Sequence, residues 1–190
     1  MRFTALLDTS VLYPALLRDV LLSLAHGDGS GMAGTYRPLW SQDILDELGR
    51  NLREKAGLDA ERTARLVGEM SREFPDALVE HYEPLVPAMP CHWKDRHVMA
   101  AAVRGGASTI VTHNLTDFPP DDLVKFDLEA QHPDTFLSHQ YDLSRQQTMQ
   151  AVEAMLRRWR NPVGDIAELT AQLSRNSCPR FAQLLTQDSS

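Results

Sequence analysis

The sequence predicts an α/β fold, in which helices cover a parallel sheet of four or five strands and a small helical appendage follows. Two observations predict it. Up to about residue 140, short apolar or β-branched runs alternate with longer helical patterns, an alternation that is typical of parallel sheets. Beyond that point only helical patterns occur. We therefore predict one domain over residues 1–140 and a C-terminal helical extension over residues 141–190.

The predicted strands lie at residues 3–8, 36–40, 77–82, 109–112 and 126–130. The first is an apolar run that ends in the polar cluster Asp8-Thr9-Ser10, as expected for a buried parallel strand that delivers a polar residue to its end. The run at 109–112 is the clearest strand, because β-branched residues favour extended backbone. Ligands of parallel sheets bind beyond the carboxyl ends of the strands, where Asp8 and Thr112 are expected to lie.

Helices are predicted at residues 11–25, 41–52, 59–74 and 95–104, from Pro133 onward, and at three places in the extension. Their apolar residues recur at helical spacing. Ser41 is expected to cap the second helix, since a serine hydroxyl commonly accepts a hydrogen bond from an unpaired backbone amide of a helix's first turn. Gly105 and Gly106 are expected to end the fourth.

Composition excludes several classes of protein. With 43% hydrophobic and 24% charged residues among 190, the chain is in the globular range. No apolar run approaches the length of a membrane span, and the N-terminus lacks a signal-peptide pattern, so we expect a cytoplasmic protein without a membrane partner. Cys91 and Cys178 form no CxxC pair, and free thiols are expected.

The net charge of −7 disfavours binding to nucleic acid through bulk electrostatics, because proteins that bind in this way are usually basic. It does not exclude a nuclease. Bound divalent cations reverse the local sign of charge where a phosphate sits.

Four acidic residues, Asp8, Glu47, Asp95 and Asp117, stand beside predicted strand ends or helix starts. Hydrolysis of a phosphodiester is assisted by hard cations such as Mg²⁺ or Mn²⁺, which prefer oxygen ligands. Each acid also has an ordinary structural interpretation. Asp8 follows a strand and Asp95 begins a helix, so each can simply cap the adjacent turn. Glu47 can be an exposed helix charge, and Asp117 can be a turn residue.

Four segments occur in the same order as in a known family. They are Leu7-Asp8-Thr9-Ser10-Val11-Leu12, Ser41-Gln42-Asp43-Ile44-Leu45-Asp46-Glu47-Leu48, Asp95-Arg96-His97-Val98-Met99-Ala100-Ala101-Ala102 and Thr109-Ile110-Val111-Thr112-His113-Asn114-Leu115-Thr116-Asp117-Phe118-Pro119. Together they resemble the PIN-domain ribonucleases, and specifically the VapC-type toxins of bacterial toxin–antitoxin pairs. The resemblance covers residues 3–138 and implies a three-layer α/β/α sandwich. The helices after residue 140 resemble an extension found in a subset of these toxins.

The resemblance implies a catalytic quartet of Asp8, Glu47, Asp95 and Asp117. The three aspartates would hold Mg²⁺ or Mn²⁺, and Glu47 would complete the site directly or through water. Thr112 and Asn114 match supporting positions of the family.

Two positions depart from the family pattern. Ser10 stands where many relatives carry Asn, and it is predicted to support the site in its place. His113-Asn114 stands where many relatives carry Gly-Asp. One possible carboxylate is therefore missing at Asn114, which makes Asp117 the necessary fourth acid.

The same resemblance implies a metal-dependent endoribonuclease that cuts RNA to leave a 5′-phosphate. Its expected partners are the RNA substrate, a cognate antitoxin that inserts a basic side chain among the carboxylates, and a second copy of the chain in a homodimer. Two alternatives stay open at this stage. One is a catalytically inactive PIN-like module that binds RNA or protein, and the other is a nuclease directed at DNA.

Two weaker signals were weighed against structural interpretations. The segment Gly29–Gly34 matches GxGxxG, but it follows a helix rather than a strand, so it does not predict a dinucleotide site. The cluster Arg157-Arg158-Trp159-Arg160 could contact RNA. We prefer the interpretation in which Trp159 belongs to the core and the arginines form a solvated face.

Overall fold

A computed structural model describes residues 3–27, 34–159 and 165–188. Its strands form a five-stranded sheet in which each pairing is parallel. They are β1 (Thr4–Leu7), β2 (Arg37–Ser41), β3 (Leu78–Val79), β4 (Thr109–Val111) and β5 (Glu129–Gln131). Helices flank this sheet and continue to the C-terminal part of the chain, so the predicted α/β class is confirmed.

The helices account for most of the remaining described residues. They are α1 (Thr9–Leu12), α2 (Ala15–His26), α3 (Gln42–Glu54), α4 (Ala60–Glu73), α5 (Arg96–Gly105), α6 (Pro120–Leu123), α7 (Pro133–Leu143), α8 (Arg145–Arg158), α9 (Ile166–Arg175) and α10 (Pro179–Asp188). Short 3₁₀ helices lie at Glu83–Ala88, Leu115–Asp117 and Val124–Phe126. Within the three described ranges, no helix is long and apolar enough to cross a bilayer.

β1 is the central strand, because the order across the sheet is β3-β2-β1-β4-β5. Ala5, Leu6 and Leu7 are fully buried, as a strand covered on both faces requires. From β1 the chain crosses to β2 on one side and later returns to β4 on the other. Such a reversal of strand order creates a crevice at the carboxyl ends of the two strands. Asp8 follows β1 and Thr112 follows β4, so both lie at this crevice.

α5 packs on the sheet through an apolar face. Val98, Met99 and the run Ala100–Ala102 are buried, and the alanines add little bulk between helix and sheet. At the last residue of the helix, Gly105, a Cβ atom would lie only 2.6 Å from Leu39 Cδ1 on β2. The helix therefore lies close against the sheet, which fixes the position of its amino-terminal end.

The predicted helix over residues 11–25 is interrupted, so the prediction of one continuous helix is wrong. α1 ends at Leu12 and α2 begins at Ala15, and Pro14 between them is extended (φ −68°, ψ 120°). Proline lacks the amide hydrogen that a continuous helix needs, and its ring clashes with the preceding turn. The apolar spacing continues across the break, which explains why the pattern suggested a single helix.

The predicted helices at 41–52, 59–74 and 95–104 are confirmed as α3, α4 and α5. Ser41 Oγ accepts a hydrogen bond from Ile44 N (3.3 Å), so the predicted cap is also confirmed. The helix over 59–74 was predicted from the spacing of its apolar residues, among them Ala60, Ala64 and Met70. Of these three Met70 is buried, whereas Ala60 and Ala64 are exposed and the polar Thr63 is buried. Spacing alone therefore predicted the inner face of α4 only in part.

Both edge strands are shorter than predicted or displaced. β3 has two residues rather than the predicted 77–82, because the chain turns into the 3₁₀ helix Glu83–Ala88. β5 starts at Glu129 rather than at 126, because Asp127 adopts a left-handed conformation (φ 54°) after the 3₁₀ helix Val124–Phe126. Edge strands pair on one side only, so local composition defines their ends poorly.

The described residues form two compact units. The first contains Phe3–Tyr13 and Arg37–Gln131 and carries the sheet, whereas the second contains α2 and the helices from α7 onward. In the second unit the ring of Tyr36 packs edge-on against Phe136 at 4.9 Å and its hydroxyl donates to Leu21 O (2.9 Å). The predicted domain division after residue 140 stays a prediction.

The arginine-rich segment lies partly in the described residues. Arg157 and Arg158 are exposed and Trp159 is half-buried, while Arg160 and most of Gly29–Gly34 lie outside the described residues. Arg157 is 3.8 Å from Glu153, and Arg158 donates to Ser23 Oγ (2.8 Å). Both contacts lie within the second unit.

The two cysteines are free and buried, as predicted. Burial raises the pKa of the Cys91 thiol to about 11, with a smaller contribution from the nearby charge of Asp95. Burial also raises the pKa of Cys178 to about 12. Since the thiolate is the reactive form, neither thiol is activated for nucleophilic chemistry.

Candidate functional site

Asp8 lies at the centre of the carboxyl edge of the sheet, immediately after β1. Its side chain is only 6% exposed, and a carboxylate at such a position requires hydrogen-bond donors. Two hydroxyl groups supply them to the same oxygen. Ser10 Oγ donates to Asp8 Oδ2 at 2.7 Å, and Thr112 Oγ1 donates to it at 2.8 Å. Within the described residues no donor reaches the other oxygen, Oδ1.

The same two hydroxyl groups bind the backbone that follows β4. Ser10 Oγ accepts from His113 N (3.1 Å), and Thr112 Oγ1 accepts from Asn114 N (3.0 Å). A hydroxyl has one proton, and each of these protons is directed to Asp8. The two hydroxyl oxygens lie 3.2 Å apart but then have no proton left to share. The arrangement therefore joins Asp8 to the loop after β4 through two parallel links.

Asp95 precedes the first residue of α5 and is half-buried. It makes no side-chain capping bond to that helix, so the simple interpretation as an N-cap does not hold. Its Oδ2 instead lies 3.4 Å from His92 Nδ1. Burial raises the pKa of Asp95, and the negative charges of Asp117 and then Asp8 raise it further, against a smaller lowering by His92. Asp117 and Asp8 are therefore close enough to Asp95 for their charges to disfavour its ionised form.

Asp117 ends the short 3₁₀ helix Leu115–Asp117 in the loop after β4 and is half-buried. Its backbone N–H donates to Asn114 O (3.1 Å). The side chain of Asn114 is exposed, and the link of this residue to the site is its amide bond to Thr112. The beginning of the loop is fixed to the hydroxyl groups that hold Asp8, and the charge of Asp117 at its end contributes to raising the pKa of Asp95.

Glu47 on α3 is half-buried and lies beside the residue that follows Asp8. Thr9 Oγ1 donates to Glu47 Oε2 at 3.2 Å, with Ile44 O as a second acceptor at 3.4 Å. Glu47 is not among the charges that shift the pKa of Asp95. The structure therefore attaches Glu47 to α1 through Thr9, the residue that follows Asp8, and shows no direct contact of Glu47 with Asp95 among the described residues.

The donor chemistry of this cluster fits a hard divalent cation, because it consists of carboxylate oxygens. Burial raises the pKa of Asp95, and the charges of Asp117 and Asp8 raise it further, which a bound cation would offset. Among the described residues, however, no group of three Asp, Glu, His or Cys side chains is already spaced to hold a metal ion.

Two contributors to the site were missed at the sequence level. Thr9 donates a hydrogen bond to Glu47. Its position between the polar residues Asp8 and Ser10 is the sequence feature that could have identified it. His92 reaches Asp95 from three residues upstream through a turn in which Asp95 N donates to His92 O (2.9 Å). A histidine three residues before an aspartate does not by itself predict a contact between them, so only the structure could identify this one.

Residues 4–116, more than half of the chain, match the PIN domain family. The chain belongs to the PIN family. Asp8, Glu47, Asp95 and Thr112 lie inside the matched segment, and Asp117 is the residue that follows it. Residues 133–187 match a second family, the VapC50 C-terminal domain.

The chain also resembles a protein of Mycobacterium tuberculosis (strain ATCC 25618 / H37Rv) described as "Putative ribonuclease VapC50", with 46% identity over 81 residues. The alignment covers 43% of this chain and 48% of the relative, so the chain spans about half the length of the curated relative that it matches. No solved structure matches the chain significantly. The predicted resemblance to VapC-type PIN proteins with a C-terminal extension is confirmed.

Thr112→Val is predicted to lower the free energy of unfolding of this PIN domain by about 1.5–3 kcal/mol, because its hydroxyl donates to a charged group. Thr148→Val is the matched control. Thr148 is also fully buried, but its hydroxyl donates to the neutral Gln140 O (3.3 Å), so we expect a loss of about 0.5–1.5 kcal/mol. Urea denaturation measures both. Equal losses would mean that Thr112 does not stabilise Asp8.

Asp95→Asn is predicted to stabilise the protein at neutral pH in EDTA. The raised pKa means that the folded protein binds the proton of Asp95 more tightly than the unfolded chain does. The free energy of unfolding therefore increases as pH falls through the raised pKa and levels off below the ordinary aspartate pKa of about 4. At neutral pH the ionised carboxylate opposes folding, and Asn removes that charge while it can still bond His92.

Thermal unfolding at neutral and acidic pH tests this prediction. The advantage of Asp95→Asn should disappear in acid, where the wild-type carboxyl is protonated. Asp46→Asn serves as the control, because Asp46 is an exposed carboxylate on α3 whose loss should change stability by no more than about 0.5 kcal/mol. A lower melting temperature for Asp95→Asn at neutral pH would show that Asp95 is not repelled.

Proposed function

We propose that this PIN protein is a metal-dependent endoribonuclease that hydrolyses RNA phosphodiester bonds. The observation that carries the proposal is the position of Asp8 at the carboxyl end of β1, where two hydroxyl groups hold it and where its charge, with that of Asp117, adds to burial in raising the pKa of Asp95. Neighbouring carboxylates whose charges repel favour the binding of a cation between them. The relative's description as a ribonuclease supports RNA as the substrate.

In this proposal Asp8, Asp95 and Asp117 hold Mg²⁺ or Mn²⁺. Asp8 offers Oδ1, since Oδ2 already accepts the protons of Ser10 and Thr112. When bound, the cation supplies positive charge for the phosphate and makes a bound water more acidic. The hydroxyl groups of Ser10 and Thr112 keep Asp8 in one orientation, which is the support that a metal ligand commonly receives from neighbouring groups.

Glu47 is proposed to orient the attacking water and to accept its proton. Thr9 holds one carboxylate oxygen of Glu47 at 3.2 Å, which leaves the other for water. The water oxygen forms a bond to phosphorus while the bond from phosphorus to O3′ breaks. The departing O3′ gains a proton, and the products are a 3′-hydroxyl and a 5′-phosphate. Asn114 contributes through its backbone bond to Thr112 rather than through its exposed side chain.

We further propose that the protein is the toxin of a toxin–antitoxin pair and acts as a homodimer. A cognate antitoxin would inhibit it by placing a basic side chain among the carboxylates, because the position that attracts a cation also attracts Arg. The net charge of −7 is compatible with such a basic partner. The match of residues 133–187 to the VapC50 C-terminal domain supports this assignment.

Asp8→Asn is predicted to lower Mn²⁺-dependent cleavage of single-stranded RNA by more than about 100-fold, because even the loss of a group that supports a metal ligand costs roughly 10- to 100-fold. The variant should keep the circular dichroism spectrum of the wild type. Asp46→Asn removes an exposed carboxylate next to Glu47 in sequence and should cut RNA normally.

Three outcomes would change the proposal. Wild-type protein that leaves a broad RNA panel intact with Mg²⁺ and Mn²⁺ would favour an inactive binding module. Faster cleavage of matched DNA would favour a DNA-directed nuclease. Normal cleavage by Asp8→Asn would remove Asp8 from the site.

A further inference from the structure

The turn before Asp95 is held by three polar contacts. Asp95 N donates to His92 O (2.9 Å), His92 Nδ1 lies 3.4 Å from Asp95 Oδ2, and Arg96 Nε donates to Cys91 O (3.5 Å). The first two contacts close the turn at both its backbone and its side chains. The two residues between His92 and Asp95, Trp93 and Lys94, are therefore presented at the tip of a fixed turn beside the proposed active site.

Trp93 is 69% exposed, the largest exposed aromatic side chain among the described residues. By contrast, Trp40 is completely buried. Lys94 Nζ lies 5.4 Å from the centre of the Trp93 ring, within the range of a cation–π contact. The ring of His92 lies 5.9 Å from that of Trp93 with a tilt of 36°. An aromatic face and a cation are thus held together in solvent.

We propose that Trp93 stacks on an unpaired base of the substrate RNA next to the scissile phosphate, and that Lys94 contacts an adjacent phosphate. The inference rests on the proposed ribonuclease function. Trp93 is two residues from Asp95, so their Cα atoms lie no more than about 7 Å apart. A nucleotide whose phosphate lies over the aspartates therefore has its neighbouring base within reach of the indole ring.

The chemistry of the turn favours nucleic acid over a protein partner. Every base has a π face, so aromatic stacking tolerates any sequence, and a lysine beside the ring adds attraction for phosphate. A local cation matters here because the net charge of the chain is −7. Leu115, two residues before Asp117, is also exposed (41%), and an exposed apolar side chain suits the face of a base more than its hydrated phosphate.

Loss of one base–aromatic stack weakens binding by roughly 5- to 150-fold. We therefore expect Trp93→Ala to lower kcat/KM for a mixed-sequence single-stranded RNA within that range. Trp93→Phe keeps an aromatic face and should recover most of the loss. Val124→Ala is the matched control, because it also truncates an exposed apolar side chain (68% exposed) in the same unit. This variant should cut RNA normally.

An abasic RNA separates stacking from other roles of the side chain. Binding with Mn²⁺ is compared for the RNA and for an abasic ribose-phosphate chain of equal length, in an Asp8→Asn background that prevents cleavage. Protein with Trp93 should lose affinity when the bases are removed, whereas Trp93→Ala should lose much less. Equal losses in the two proteins would overturn the inference.

The remaining outcomes distinguish this inference from the proposed function. If wild-type protein cuts RNA and Trp93→Ala cuts equally well, stacking is refuted while the ribonuclease stands. If Trp93→Ala cuts RNA normally but no longer binds an antitoxin encoded by the neighbouring gene, Trp93 contacts protein and the inference is overturned. If wild-type protein neither binds nor cuts RNA, both proposals fail together.

Discussion

The structure depends on how like charges are tolerated at one edge of the sheet. Asp8, Asp95 and Asp117 come from three separate segments. Burial raises the pKa of Asp95, and the charges of Asp117 and Asp8 raise it further. Two hydroxyl groups donate to Asp8, and His92 lies beside Asp95 and lowers its pKa by a smaller amount. A divalent cation would supply the positive charge that the proposed nuclease function needs at this position.

Strand order creates this edge, and hydrogen bonding makes it rigid. β2 and β4 lie on opposite sides of β1, so the carboxyl ends of β1 and β4 meet where the strand order reverses. Ser10 and Thr112 then link Asp8 to the neighbouring chain. Each hydroxyl donates a hydrogen bond to Asp8 and accepts one from a backbone amide of the loop after β4. The position of that loop, and with it Asp117, is thereby linked to Asp8.

Much of this could be predicted from sequence where local composition determines structure. The three buried residues of β1 appear as a continuous apolar run, and the cap at Ser41 follows from its side chain. Failures arose where tertiary pairing decides. Pro14 divides a helix whose apolar spacing is unbroken, and the ends of β3 and β5 depend on neighbouring 3₁₀ turns. The location of Glu47 depends on Thr9, a contact across 38 residues that no local pattern encodes.

The most direct test of the central claim is the position of a bound ion. Crystals soaked with Mn²⁺ give an anomalous difference peak that locates the metal independently of any assay. The account predicts a peak coordinated by Asp8 Oδ1 together with carboxylate oxygens of Asp95 and Asp117. A well-ordered crystal at saturating Mn²⁺ with no peak there, or with its metal held by other residues, would contradict it.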